Sequence, residues 1–121
     1  MLKKRLLVVD DEEKIRALMK ACLEPEYEVS LASDGPLAVQ VAKTLQPDGI
    51  VLDIGLPELD GLSVLKELKL SAQTAHIPVI MLSGRGESHA LLDAQALGAC
   101  DYLIKPVKFE EVRTTVRRYV S

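Results

Sequence analysis

Three aspartates, a serine and a lysine stand at the ends of apolar runs in this chain. Asp10-Asp11 follow Leu6-Leu7-Val8-Val9, Asp53 follows Ile50-Val51-Leu52, Ser83 follows Val79-Ile80-Met81-Leu82, and Lys105 follows Tyr102-Leu103-Ile104. If those runs are parallel strands of one sheet, their carboxyl ends share an edge, where ligands bind in open α/β sheets. Crowded carboxylates raise one another's pKa, so three of them imply a cation. Oxygen donors without histidine or thiolate suit Mg²⁺ rather than zinc, and Mg²⁺ takes few protein ligands, which fits a small open cleft. Such an ion can neutralise and orient an incoming phosphoryl group. Asp53 is then placed as a nucleophile able to form an aspartyl-phosphate. Lys105 can offset charge on the acceptor or the phosphoryl oxygens, and the Ser83 hydroxyl can donate to one of those oxygens.

The elements that must position these groups follow from periodicity. Short β-rich runs alternate with helical patterns, which signals βαβ units and a parallel sheet. A first strand is expected from Arg5 to Val9. Ile15, Leu18, Met19 and Cys22 then mark one face of a helix that stops near Glu24, ahead of Pro25. Tyr27 to Ala32 reads as a second strand. Asp34 is placed to cap a second helix with Pro36 in its first turn and Leu37, Val41 and Leu45 on its apolar face. Pro47-Asp48-Gly49 is a turn into the third strand. Gly61 opens a third helix with Leu62, Leu65 and Leu68 inward. Pro78 starts the fourth strand, which runs to Ser83, and Gly84 and Gly86 form a loop. A fourth helix is expected over roughly Ser88 to Leu97 with Gly98 as its stop, then a strand from Cys100 to Ile104. The last helix carries Phe109, Val112, Val116 and Val120 on one stripe. Right-handed crossovers put helices on both faces of the sheet.

Composition narrows the function classes. The 121 residues suit a single domain over 1–121, able to bury about two-thirds of its unfolded surface. Fifteen basic and 18 acidic residues leave a net charge of −3, which argues against nucleic acid as a direct partner. No apolar stretch approaches the ~20 residues of a membrane span, and the N-terminal apolar run is too short for a signal peptide. Cys22 and Cys100 lack metal-ligand spacing and read as buried thiols of a reducing compartment, so a cytoplasmic location is expected.

Taken together, these residues resemble the response-regulator receiver domain of two-component signalling over essentially the whole chain. The resemblance rests on the order and spacing of Asp10-Asp11, Asp53 with its Ile54-Gly55-Leu56-Pro57-Glu58-Leu59-Asp60-Gly61 tail, Ser83, Tyr102 and Lys105-Pro106. It implies a flavodoxin-like α/β fold, a doubly wound five-stranded parallel sheet of order 2-1-3-4-5 flanked by five helices. It implies phosphoryl transfer from a histidine kinase or histidine phosphotransfer protein to Asp53. Mg²⁺ is implied at Asp11, Asp53 and the Gly55 carbonyl, with Asp10 acting mainly through water. Ser83, Lys105 and Gly84 would receive the phosphoryl group, with a cis peptide at Lys105-Pro106. Ser83 and Tyr102 resemble a switch pair in which the hydroxyl moves to the phosphoryl group and the ring turns inward. Gly55 and Arg85 occupy positions that tune the lifetime of the phosphoryl group. The output surface would be the fourth helix, fifth strand and fifth helix, acting on an output partner or effector domain that the sequence does not name. No effector segment follows the last helix, so the chain reads as a stand-alone receiver or a piece of a larger regulator. Leu56 and Ser83, where methionine and threonine are commoner, are mild departures.

Each feature also has a plainer reading. Asp10-Asp11 alone would cap a helix, Asp53 and Ser83 would form turns, Lys105 would be solvated and Tyr102 would pack in a sheet. The capping account weakens once the acidic groups and Lys105 fall at strand ends together. His76 and His89 read as structural or exposed, and Arg113, Arg117 and Arg118 as a solvated helix face, or less simply as a docking surface. A Mg²⁺-dependent phosphohydrolase with an aspartyl nucleophile is the alternative function. Its haloacid-dehalogenase form wants a second Asp two residues after the first, where this chain has Gly55. A flavodoxin-like cofactor binder would meet repulsion from Asp10-Asp11-Glu12-Glu13. A degenerate receiver, acting only as an interaction module, would have no need of the complete acidic set.

Overall fold

The structure is a computed structural model and describes residues 2–56, 59–84 and 89–120. Five strands alternate with five helices: β1 Lys4–Val9, α1 Glu13–Leu23, β2 Tyr27–Ala32, α2 Gly35–Leu45, β3 Gly49–Asp53, α3 Gly61–Leu70, β4 Val79–Ser83, α4 Ala90–Ala96, β5 Asp101–Ile104 and α5 Phe109–Tyr119. The strands pair in parallel in the order β2-β1-β3-β4-β5. This is the doubly wound, flavodoxin-like sheet, with the order reversing between β1 and β3.

Alternation along the strands divides the core. Leu7, Val9, Ile50, Leu52, Val79 and Met81 face α2, α3 and α4, where Ala38, Ala42, Val64, Leu65 and Ala94 meet them. Leu6, Val8, Val51, Ile80, Leu82 and Leu103 face α1 and α5, against Met19, Cys22, Leu23, Val112 and Val116. Burial on both faces explains why the central strands are unbroken apolar runs. Each such run ends where it leaves the core, and there polar side chains begin.

Local chemistry fixes the helix ends. The Asp34 carboxylate accepts the Leu37 N–H at 2.8 Å to cap α2, with Pro36 in its first turn. Asp60 accepts the Ser63 N–H at 2.9 Å to cap α3. Gly98 takes φ +102° after α4, a left-handed value that glycine adopts without steric cost.

Several helix faces differ from the sequence expectation. Leu37 is exposed and Val41 and Leu45 are only half-buried. The buried stripe of α2 is Ala38, Val39 and Ala42, because small side chains let the helix lie close to the sheet. Leu18 and Phe109 are each about half-exposed, at 49% and 47%. With Ile15, Pro106 and Val107 they line a groove of about 380 Å³ along the seam of α1 and α5, outside the core. Cys22 is buried, but Cys100 is only half-buried, because it precedes β5 at a sheet border. The fourth helix begins at Ala90; Ser88, where it was expected to start, lies outside the described residues, as does Gly86. The arginines of α5 are tied rather than freely solvated. Arg113 Nε donates to the Cys22 carbonyl at 3.2 Å, Arg117 pairs with Glu26, and Arg118 Nη1 lies 3.3 Å from Asp101 Oδ2. His76 and His89 are exposed.

Candidate functional site

Strand register brings the acidic groups to one level. Val9 pairs with Leu52, so the next residues, Asp10 and Asp53, leave neighbouring strands side by side. Ser83 pairs with Ile104, so Lys105 follows directly beyond it. The Lys105 N–H donates to the Ser83 carbonyl at 2.7 Å, and the Lys105–Pro106 peptide is cis. Behind Asp53, the Ile54 N–H donates to the Leu82 carbonyl and the Gly61 N–H to the Ile54 carbonyl, both at 2.9 Å. A side chain at Gly61 could not be accommodated there: its Cβ would lie 2.2 Å from the Asp53 carbonyl oxygen. The start of α3 is thus clamped against the end of β3.

Lys105 bridges the two buried aspartates. Its Nζ lies 3.0 Å from Asp10 Oδ2 and 3.2 Å from Asp53 Oδ2. Only the second contact has hydrogen-bond geometry, so Asp10 Oδ2, fully buried, has an ion-pair partner but no hydrogen-bond donor among the described residues. Asp10 Oδ1 accepts the Glu12 N–H at 2.9 Å. This is a turn just ahead of α1, whose N-cap is Glu12, one residue beyond the acidic pair. Asp53 Oδ1 accepts the Gly55 N–H at 3.1 Å. Burial pushes the Asp53 carboxyl above its ordinary pKa, with Asp10 adding to the rise; the Lys105 ammonium and the Gly55 N–H pull it back only in part. For Lys105, burial works to lower the pKa, but the two carboxylates more than offset it and hold the ammonium above its usual value.

Two groups in this pocket lack what burial normally requires. One is Asp10 Oδ2. The other is Ser83 Oγ, fully buried and without a hydrogen-bond partner among the described residues. Asp10, Asp11 and Glu12 also present carboxylate oxygens within 4.8 Å of one another, the first buried and the others exposed. An oxygen-only donor set with an under-satisfied buried carboxylate fits a hard divalent cation such as Mg²⁺. Glu12 was not singled out by sequence reasoning, although its place directly after the acidic pair was a signal for it.

The remaining expected residues fall around this centre. Gly55 is exposed just past Asp53, and Gly84 is half-buried just past Ser83. Tyr102 is 50% exposed on β5 and stands at a cavity of about 340 Å³ formed with Leu91, Ala94 and Gln95 of α4. Arg85 lies outside the described residues, as do Pro57 and Glu58 of the acceptor loop. No helix among the described residues is long and apolar enough to cross a membrane.

Comparison with known proteins bears on what this arrangement is. The family described as the response regulator receiver domain matches residues 6–117. The alkaline phosphatase synthesis transcriptional regulatory protein PhoP of Bacillus subtilis is 44% identical over 115 residues, covering 94% of this chain and 47% of that protein. The response regulator PleD of Caulobacter vibrioides is 43% identical over 93% of this chain and 26% of its own length. The chain therefore spans half or less of these curated relatives. Among solved structures, a putative response regulator from Chloroflexus aurantiacus superposes with a TM-score of 0.92 at 30% identity, covering 98% of each chain. The receiver domain of the sensor histidine kinase PA1611 from Pseudomonas aeruginosa, solved with a magnesium ion coordinated in its active-site cleft, superposes with a TM-score of 0.89 at 29% identity, covering 98% of each chain.

Proposed function

This chain belongs to the response-regulator receiver family, and on that footing we propose that it is a Mg²⁺-dependent phosphoacceptor whose acceptor is Asp53. The observation that carries the reading is the pairing of Asp53 with Lys105 at 3.2 Å, beside the unsatisfied Asp10 Oδ2 and Ser83 Oγ. The donor is a phosphohistidine of a histidine kinase or histidine phosphotransfer protein. A carboxylate oxygen of Asp53 attacks phosphorus, a P–O bond forms, the P–N bond breaks, and its electron pair returns to the imidazole. Asp11, Asp53 and the Gly55 carbonyl would hold Mg²⁺, with Asp10 acting through water and Glu12 within reach. When bound, the ion supplies charge neutralisation and orientation for the phosphoryl oxygens.

The chain's own residues do the rest. Lys105 offsets the negative charge of the acceptor carboxylate and of the phosphoryl oxygens brought beside it. Ser83 Oγ, which has no hydrogen-bond partner among the described residues, donates to a phosphoryl oxygen. Gly84 leaves room for the group, and Gly55 offers no side chain to hold or exclude a hydrolytic water. Ser83 is linked through the sheet to β5, where Tyr102 stands at the α4 cavity. Inward rotation of that ring would re-form the α4-β5-α5 surface for an output partner. In this reading the protein catalyses only its own phosphorylation and dephosphorylation.

The test is incubation with acetyl phosphate and MgCl₂, read by intact mass. A single phosphate adduct that needs Mg²⁺ and is lost in Asp53→Asn is expected. No adduct on the wild-type chain would remove the proposal. Steady phosphate release from many esters without a labile adduct would replace it with the hydrolase.

A further inference from the structure

We propose that Arg16 is a positioning residue for the cation-binding loop, an assignment that rests on the Mg²⁺ reading above. Arg16 lies in the first turns of α1, and its Nη1 donates to the Asp10 backbone carbonyl at 2.7 Å. That oxygen belongs to the peptide joining Asp10 to Asp11. The peptide is a rigid plane, so holding its oxygen also fixes the Asp11 nitrogen and the Asp11 Cα from which that side chain departs.

The residues around this peptide explain why it needs holding. Asp10 is the first residue beyond β1, so its carbonyl has left the β1–β2 ladder. Its N–H is still held, donating to the Ala32 carbonyl at 3.2 Å. Its side chain is held on both sides, by the Glu12 N–H and by Lys105. The carbonyl is the remaining handle, and Arg16 takes it from the helix that follows. The Arg16 N–H in turn donates to the Glu12 carbonyl at 3.1 Å. One residue therefore ties both ends of the segment 10–12, whose three carboxylates gather within 4.8 Å.

Position and charge predict opposite signs, which makes the role testable. A guanidinium acting only as a nearby positive charge would repel a cation, so deleting it would tighten Mg²⁺ binding. A guanidinium acting as a clamp on the 10–11 peptide supports binding, so deleting it weakens Mg²⁺. Loss of a hydrogen-bond partner behind a metal ligand typically lowers affinity by about ten- to a hundredfold. Arg16 is one peptide removed from the ligand atoms, so about tenfold is expected.

The experiment compares wild type, Arg16→Met and Arg16→Lys. Mg²⁺ affinity is read by titration calorimetry, and amide hydrogen exchange and melting are read in EDTA. Methionine keeps the apolar stem, and lysine keeps the charge and a hydrogen-bond-donating head without the guanidinium's fork. The expected result has three parts: about tenfold weaker Mg²⁺ in Arg16→Met, recovery toward wild type in Arg16→Lys, and faster exchange in Arg16→Met confined to the Glu12 amide and its neighbours. Unchanged or tighter Mg²⁺ binding in Arg16→Met overturns the assignment. So does faster exchange spread over the whole sheet with a lowered melting point, which would mark a general structural role. If wild type itself fails to bind Mg²⁺, the cation reading falls, and the local exchange at Glu12 still decides whether Arg16 holds the loop.

Discussion

Replacing Lys105 by methionine keeps the length of an apolar stem and deletes the cation that reaches both buried aspartates. Asp10 Oδ2 and Asp53 Oδ2 lie 3.0 and 3.2 Å from the same Nζ, so no more than about 6 Å separates them. At an effective dielectric near 20 their mutual repulsion is then about 3 kcal/mol. Removing one partner of a buried ion pair costs roughly 3–5 kcal/mol. The Lys105 side chain is 22% exposed, and water screens it in part, which places the expected loss at the lower end, about 3 kcal/mol. Unfolding entropy of about 2.1 cal/mol/K per residue converts 1 kcal/mol to about 4 °C for a chain of 121 residues. The melting midpoint in EDTA at neutral pH should therefore fall by about 12 °C.

The deficit has a definite dependence on pH. Burial, with Asp10 second, already holds the Asp53 carboxyl above its ordinary pKa, and loss of the ammonium pushes it higher. A carboxyl raised in the folded state contributes stability below its unfolded pKa, and that stability is lost as pH rises through the folded value. Wild type and Lys105→Met should therefore converge below the usual carboxylate range and separate most around neutrality. A divalent cation supplies the missing positive charge, so excess MgCl₂ should raise the midpoint of the variant more than that of wild type. Circular dichroism melts in EDTA and in MgCl₂, at acid and at neutral pH, read all of these. A neutral-pH midpoint within about 4 °C of wild type in EDTA, or a deficit that persists unchanged in acid, would refute charge compensation by Lys105.

Two further substitutions test other parts of the pocket. Ser83 Oγ is buried without a hydrogen-bond partner among the described residues, and an unsatisfied buried polar group costs about 1–3 kcal/mol. Ser83→Ala should thus raise the melting midpoint in EDTA by about 4 °C while lowering the yield of phosphate adduct from acetyl phosphate; a lower midpoint would mean that the hydroxyl is satisfied. Gly61→Ala would set a Cβ 2.2 Å from the Asp53 carbonyl oxygen and 2.6 Å from Ile54 Cα, both backbone atoms that cannot swing aside. Overpacking of this kind costs at the upper end of about 1–3 kcal/mol, measured as a lowered urea midpoint, and a wild-type midpoint would show that α3 is not clamped to β3.

The strands and the pocket were legible in the sequence for one physical reason. Parallel strands buried on both faces must be apolar throughout, so the first polar residue after each run marks where the apolar core gives way to the polar pocket at the sheet edge. Asp10, Asp53 and Lys105 were found that way, and register then did the gathering. Helix faces were less legible. Leu37, Leu18 and Phe109 are as apolar as core residues, but α2 turns Ala38 and Ala42 to the sheet, and α1 and α5 leave an open seam. Hydrophobicity states what a residue prefers, not whether a neighbour is there to cover it. Arg16 was invisible for a further reason: its partner is a backbone carbonyl, which every residue carries, so no pairing of side-chain types could announce it.

The pocket also shows how a local charge event could reach a distant surface in the proposed switch. The fold carries the cost of two crowded buried carboxylates and of a buried hydroxyl with no hydrogen-bond partner among the described residues, relieved in part by Lys105. Each of these groups is one that a cation or a phosphoryl oxygen would satisfy, so ligation favours whichever arrangement lets Ser83 and Lys105 engage it. Both residues are bound to the same strand pair: Ser83 pairs with Ile104, and the Lys105 N–H donates to the Ser83 carbonyl. A backbone shift of either residue bears on β5, where Tyr102 lines a cavity of about 340 Å³. The route from acceptor to output face in this proposal is a single pair of adjacent strands, and Tyr102→Ala, on the second strand and outside the acceptor pocket, should leave the phosphate adduct intact while silencing the α4-β5-α5 surface.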